Sequence, residues 1–318
     1  MSAARVAVTG IGLICPLGAA FGEQVAALAA RIAAGERALR PHPPLAQLPD
    51  GGLAGVVGPL DLDRFLLRRK DKKLLARPSA LALACAGPLV SAWPGDRRAL
   101  ALYLGVGREP PDDGESEATL ALSARDGALD EALLAGPGRD RYPPLLPLKT
   151  LPNMAPAHIS INLGLMGENA AWAGVWGAGL LALRAGLLAV AEGRAPAALV
   201  GGADSRVDLG SARDRLRVGE AGAPAEGAAL LLLEPADAAA ARGARVYGWL
   251  ELADPTGATG PDVVDARAVT IDQMGDLGAA AAPVAAALAL CGDRPRAVRA
   301  ADPGLPALAV GVRPETAC

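Results

Sequence analysis

Apolar runs alternate with helical periodicities along most of the chain, and that alternation sets the expected architecture. Arg5-Val6-Ala7-Val8-Thr9-Gly10 reads as a short buried strand ending in a glycine turn. Residues 23–34 predict a helix closed by Gly35. Residues 40–60, rich in proline and glycine, predict an irregular connection. Residues 62–89 predict a helix in two pieces with Pro78 at the break, and residues 99–105 a buried strand. A polar-faced helix over 115–134 and a proline-rich loop through Pro152 follow. In the centre, a strand at 170–174 precedes a long apolar helix over 177–192, with Arg184 as its internal charge and Gly193 at its end. Strands are expected at 197–202, 228–234 and 246–252, with a short helix at 236–242. Residues 263–271 read as extended, 278–290 as helical and 307–312 as a last strand. Apolar strands alternating with helices predict an α/β architecture with the sheet covered on both faces. No repeat of 20–50 residues is visible.

Composition narrows this picture. A chain of 318 residues corresponds to roughly two domains or one large duplicated one. With 52% hydrophobic and 20% charged residues it carries a sizeable core, which excludes disorder. The 34 acids against 31 bases give a net charge of −3, which predicts no nucleic-acid partner. The longest uncharged stretches, 6–22 and 277–292, fall short of the ~18–20 residues of a membrane span, so no membrane partner is expected. Glycines and Pro16 interrupt the first of them, which argues against a signal peptide and for a cytoplasmic protein. Cys15, Cys85, Cys291 and Cys318 show no paired spacing and read as small hydrophobes in a reducing compartment. Only two histidines, His42 and His158, are present.

Gly10-x-Gly12 after the first strand invites a dinucleotide-binding reading. The third glycine of G-x-G-x-x-G is Cys15 here, and no acidic ribose partner follows about 20 residues on, so that reading is set aside. A second constellation is more specific. Leu151-Pro152-Asn153-Met154 with His158, and Gly167-Glu168-Asn169, follow Val8-Thr9-Gly10-Ile11-Gly12 and Pro16-Leu17-Gly18. Gly201-Gly202-Ala203-Asp204-Ser205 and Glu226-Gly227-Ala228 through Leu233-Glu234 come next, then Ala241-Arg242-Gly243. In this order the motifs resemble the β-ketoacyl-(acyl carrier protein) synthase family. The resemblance implies a thiolase-like layered α-β-α-β-α fold, with a ketosynthase-like half over 1–243 and an abbreviated C-terminal half over 244–318. It implies no cofactor and no metal.

The same resemblance locates the chemistry. The family's nucleophile is a cysteine at the amino end of the central buried helix, where the helix dipole and free amides favour a thiolate and an oxyanion. That position falls on Trp176, with Gly179 matching the glycine that follows it. One family histidine aligns with Asp276, and the family lysine with Ile271. The other histidine belongs to an H-G-T-G-T loop that this chain lacks, since no histidine lies beyond His158. These degenerate positions predict a protein that does not condense acyl groups, similar to the chain-length-factor type of subunit. Cys85 reads as structural and His158 as a core or interface residue, while Asp276 and Glu226 could form a carboxylate pair. The basic run Arg68, Arg69, Lys70, Lys72 and Lys73 reads either as a solvated face or as a docking surface for an acidic acyl carrier protein. The expected partners are that carrier protein and an active ketosynthase, or a second copy, in a dimer joined around residues 145–176. Left open are an acyltransferase or thioesterase-like activity with a non-standard nucleophile, and a stand-alone acyl- or carrier-binding protein.

Overall fold

Strand β1 (Val6–Cys15) is the hinge of the architecture, because it pairs with strands from both parts of the chain. The structure, a computed structural model, describes residues 5–48, 51–107, 113–217, 219–220, 222–254 and 262–315. Within these, the main sheet holds ten strands. After β1 come β2 (Gly18–Phe21), β3 (Ala101–Val106), β4 (Asn169–Ala173), β5 (Ala198–Ser205) and β6 (Glu226–Pro235). The later strands are β7 (Gly248–Leu252), β8 (Val263–Asp265), β9 (Arg296–Ala300) and β10 (Leu308–Pro314). The order across the sheet is β8-β9-β10-β7-β1-β6-β5-β3-β4, with β2 paired to β1 alone.

Read outward from the β1–β7 junction, the two sides repeat. On one side β1, β6 and β5 pair antiparallel, then β5, β3 and β4 pair parallel. On the other side β7, β10 and β9 pair antiparallel, then β9 and β8 pair parallel. Among the described residues the second half has no counterpart of β4. This duplication is carried by strand order and direction and leaves no trace as a sequence repeat.

Two apolar helices, α5 (Gly177–Ala191) and α7 (Ala281–Ala289), pack on each other between the two halves of the sheet. Their contact is close because it is made by small residues. A Cβ added to Gly179 would lie 2.2 Å from the carbonyl oxygen of Ala279. The largest buried cluster runs through this middle layer, from Val8 and Leu13 through Leu180 and Leu183 to Val284, Val298 and Val312. A second core lies under α2 (Arg77–Ala92) and α4 (Met154–Leu163), which cover the outer face of the first half. The helices that contact β7, β9 and β10 extensively are α5 and α7 of the middle layer. On the outward face of that half, Glu251 and Arg299 are exposed. That face of the shortened half therefore carries charged residues. Exposed large apolar residues concentrate instead in the first half, at Leu129, Tyr142, Leu145, Leu151, Ile161 and Met166 among others.

Several boundaries differ from expectation for identifiable reasons. Strand β1 continues through Gly10 and Gly12 to Cys15, because the glycines serve close packing and make no turn. A Cβ on Gly12 would sit 3.0 Å from Cys85 Sγ of α2. Pro78 starts α2 and breaks nothing, as proline in a first turn lacks only an amide that has no helical partner. The helix expected over 115–134 stops at Ser123, the end of α3 (Asp113–Ser123). There Asp126 and Gly127, both at positive φ, turn the chain into a two-strand hairpin. The extended segment expected over 263–271 is strand only to Asp265. Helices α4 and α6 (Leu209–Arg217) and strand β9 are additional elements. No helix among the described residues is long and apolar enough to cross a membrane.

Candidate functional site

The amino end of α5 is where the two halves meet and where the expected nucleophile position lies. Trp176 is the residue immediately before this helix, and its side chain is buried. Its indole Nε1 donates to Asp276 Oδ1 at 2.9 Å, and the Arg267 guanidinium stacks 4.4 Å from the ring centroid. A cation over the face of tryptophan is attracted by the ring quadrupole, so the indole is held at both its edge and its face.

Asp276 is the centre of a larger charged cluster. Its Oδ1 also accepts from the Gly278 amide at 3.0 Å, and its Oδ2 pairs with Arg206 Nη1 at 2.7 Å. Arg215 Nε and Arg267 Nε lie 3.9 and 3.7 Å from the same oxygen. Arg206 reaches on to Glu220 at 2.7 Å. Asp204, at the end of β5, accepts from the Ser205 amide (2.8 Å) and the Ala279 amide (3.0 Å). Glycine is required beside it, since a Cβ on Gly278, which also has φ +52°, would fall 1.9 Å from the Asp204 carboxylate. Burial raises the Asp204 carboxyl to about 7, against the opposing pull of Arg206. Three carboxylates (Asp204, Glu220, Asp276) and three guanidiniums (Arg206, Arg215, Arg267) thus gather in a largely buried space. The cluster uses its charges on itself.

The helix end carries one further group. Asp302, in the loop after β9, sends Oδ1 to the amides of Trp176 (2.6 Å) and Gly177 (2.8 Å), and Oδ2 towards that of Val175 (3.3 Å). A helix amino terminus is a ready anion site, because its first amides lack helical partners and the dipole favours negative charge. Here the chain's own carboxylate takes that site.

The remaining expected residues are dispersed. Ile271 opens a four-residue helical turn (Ile271–Met274), with its side chain beside Gly222. Glu226 makes no pair with Asp276: its carboxylate binds Arg77 (2.6 Å), Ser205 Oγ and the Val57 amide, tying β6 to α2. Cys85 and Cys15 are buried, and burial pushes their thiols up to about 12 and about 11. Cys291 is half-buried with its thiol likewise raised, and Cys318 lies outside the described residues, as do residues 255–261 of the shortened connection. His158, buried on α4, is pushed down by desolvation. Arg68, Arg69, Lys70, Lys72 and Lys73 lie on and beside a 3-10 turn (Arg69–Leu74), all exposed. Asp71 lies 2.9 Å from Arg68, and Asp63 lies 3.8 Å from Arg69 and 3.9 Å from Lys72, so acids partly neutralise the run.

Comparison with known proteins agrees with this architecture. The family profile of the β-ketoacyl synthase N-terminal domain matches residues 73–239, more than half of the chain. The chain belongs to the β-ketoacyl synthase family. Its structure is similar to the ishigamide ketosynthase/chain length factor, with a TM-score of 0.71 and 23% identity over 97% of this chain and 98% of that one. It is similar to AntDE:AntF, a type II PKS acyl carrier protein in complex with its ketosynthase bound to the hexaketide. There the TM-score is 0.75 at 14% identity, over 98% of this chain and 100% of that one. A β-ketoacyl synthase from Burkholderia phymatum STM815 gives 0.71 and 15% over 98% and 100%. At these identities the likenesses establish the thiolase-like fold. No curated protein sequence matches the chain.

Proposed function

We propose that this protein is a condensation-inactive β-ketoacyl synthase homologue that works as a chain-length-factor-like partner of an active ketosynthase in type II polyketide or fatty-acid biosynthesis. The observation that carries the reading is the Asp302 carboxylate on the Trp176 and Gly177 amides. Acyl transfer at this helix end needs a nucleophile and free amides to receive the developing oxyanion, and losing one such donor costs about 10²–10³ in rate. Here the nucleophile position is an indole, and a fixed negative charge already holds the amides. The thiols of Cys15 and Cys85 are buried and raised, which disfavours a thiolate at either place.

Partnership is supported by two surfaces. Strand β4 is the last in the sheet, paired only with β3, and exposed apolar residues cluster in the segment before it. An open edge beside apolar surface suits a two-fold pairing with a synthase or a second copy. The exposed run from Arg68 to Lys73 suits an acidic carrier protein, and AntDE:AntF is an example of a carrier protein bound to its ketosynthase. Co-expression with an active ketosynthase tests the proposal. The expected result is a stable complex that condenses acyl and malonyl carrier substrates, while this chain alone makes no β-ketoacyl product and Trp176→Cys restores none. Product formation by the chain alone, or failure to associate with any synthase or with itself, would overturn it.

A further inference from the structure

A cleft of about 480 Å3 opens between α1 (Gln24–Ala33), α7 and the segment that follows β8. It shares no lining residue with the site around Trp176, and it lies beside β8, the end strand of the second half among the described residues. Its size falls in the range of about 300–1,000 Å3 usual for small-molecule sites. The walls are mostly aliphatic, with Ala29 and Ala30 of α1, Leu288 and Ala289 of α7, and Val264 and Val269, and Gln273 adds one neutral polar group. Among the lining residues Arg296 is the one with a charge.

Arg296 occupies the same sheet face as the buried Val298 and Ala300, so its stem runs towards α7. Among the described residues no carboxylate pairs with its guanidinium. A fixed cation at the end of an uncharged aliphatic trough is complementary to one chemical class, an unbranched aliphatic chain ending in a carboxylate. The guanidinium fork matches the two carboxylate oxygens, and the small aliphatic walls suit a methylene chain. We propose that this cleft binds a medium-chain fatty acid, with the carboxylate on Arg296 and the alkyl chain between α1 and α7. The proposal is independent of whether the protein partners a ketosynthase.

Calorimetric titration of the full chain with decanoate, below its micellar concentration, tests it. One saturable site is expected, and shortening to octanoate should weaken binding by up to about fourfold per methylene removed. Arg296→Gln should weaken decanoate about ten- to hundredfold and leave decanol unchanged, because a hydrogen bond to a charged group is what the variant removes. Ala30→Leu should fill the trough and weaken both ligands. Ala30 is exposed on α1, and its replacement leaves the core in place. As a second readout, decanoate should slow alkylation of Cys291, which lines the cleft, in a Cys318→Ser background. Absence of saturable binding, decanoate affinity indifferent to Arg296→Gln, or an unprotected Cys291 would overturn the proposal.

Discussion

The two halves of the molecule share a strand plan and differ in what surrounds it. The first half has five strands in the repeated order and carries α2 and α4 on its outer face; the second has four and presents charged residues outward. What both retain is an exchange at the centre. Asp204, at the end of β5, caps the turn that leads into α7 of the second half, through the Ala279 amide. Asp302, just beyond the end of β9, caps α5 of the first half. Strands β5 and β9 are counterparts, so each half lends a carboxylate from the same place in its plan to the other half's central helix. The two caps are unequal, since Asp204 sits inside the arginine cluster and Asp302 reaches in from a loop. At the centre, each half thus holds the other's central helix through a carboxylate.

The strongest test of this junction is Asp276→Ala, which strands Arg206, Arg215 and Arg267 around a neutral methyl. Breaking a buried pair on one side costs about 3–5 kcal/mol, readable as a lowered midpoint in urea unfolding. A loss under 1 kcal/mol would show that the cluster contributes no cohesion between the halves. Asp302→Ala should cost about 1–2 kcal/mol, the usual loss of a helix cap. It should also make stability depend on added sulfate, because the α5 amides then accept an external anion, whereas the parent protein should show no such specific response.

Asp204→Asn separates the two caps by pH. With its carboxyl raised to about 7 from an ordinary value of 3.8, the folded chain keeps a proton that the unfolded chain has released between those values. The contribution of Asp204 is therefore fully present below about pH 4 and is lost as pH rises to about 7. The asparagine variant should flatten that slope in thermal melts recorded from pH 4 to 8; an unchanged slope would place the titrating group elsewhere. The smallest effect on stability is expected from reversing Arg69 and Lys72 to glutamate together, within ±0.5 kcal/mol for exposed positions. Carrier-protein binding at low salt should nonetheless fall, and the difference should shrink at high salt.

Much of the fold is legible in the sequence. The helix of α5 and the strands β3, β5 and β6 follow directly from apolar runs bounded by glycine or charge. Strand β9 is less legible, because Arg296 and Arg299 interrupt the apolar pattern of a five-residue strand. The site is half legible. Trp176 and Asp276 are found by alignment to the family's motifs, but Asp302 lies in Asp302-Pro303-Gly304, a tripeptide that reads only as a turn. Nothing local reveals that its carboxylate meets an amide 126 residues earlier. Arg206 and Arg215 are equally silent, since each becomes a partner of Asp276 only through the crossing of the two halves.

We propose that the α5 helix end takes up no acyl group, because an indole and an internal carboxylate already fill it. Intact-mass measurement after incubation with a reactive acyl thioester tests this directly, with the chain alone and with all of its cysteines present. No acyl adduct is expected on the peptide that contains residues 174–180 of the parent protein. A stoichiometric acyl adduct mapping to the peptide that contains residues 174–180, or to any other residue contacting Trp176, would contradict it.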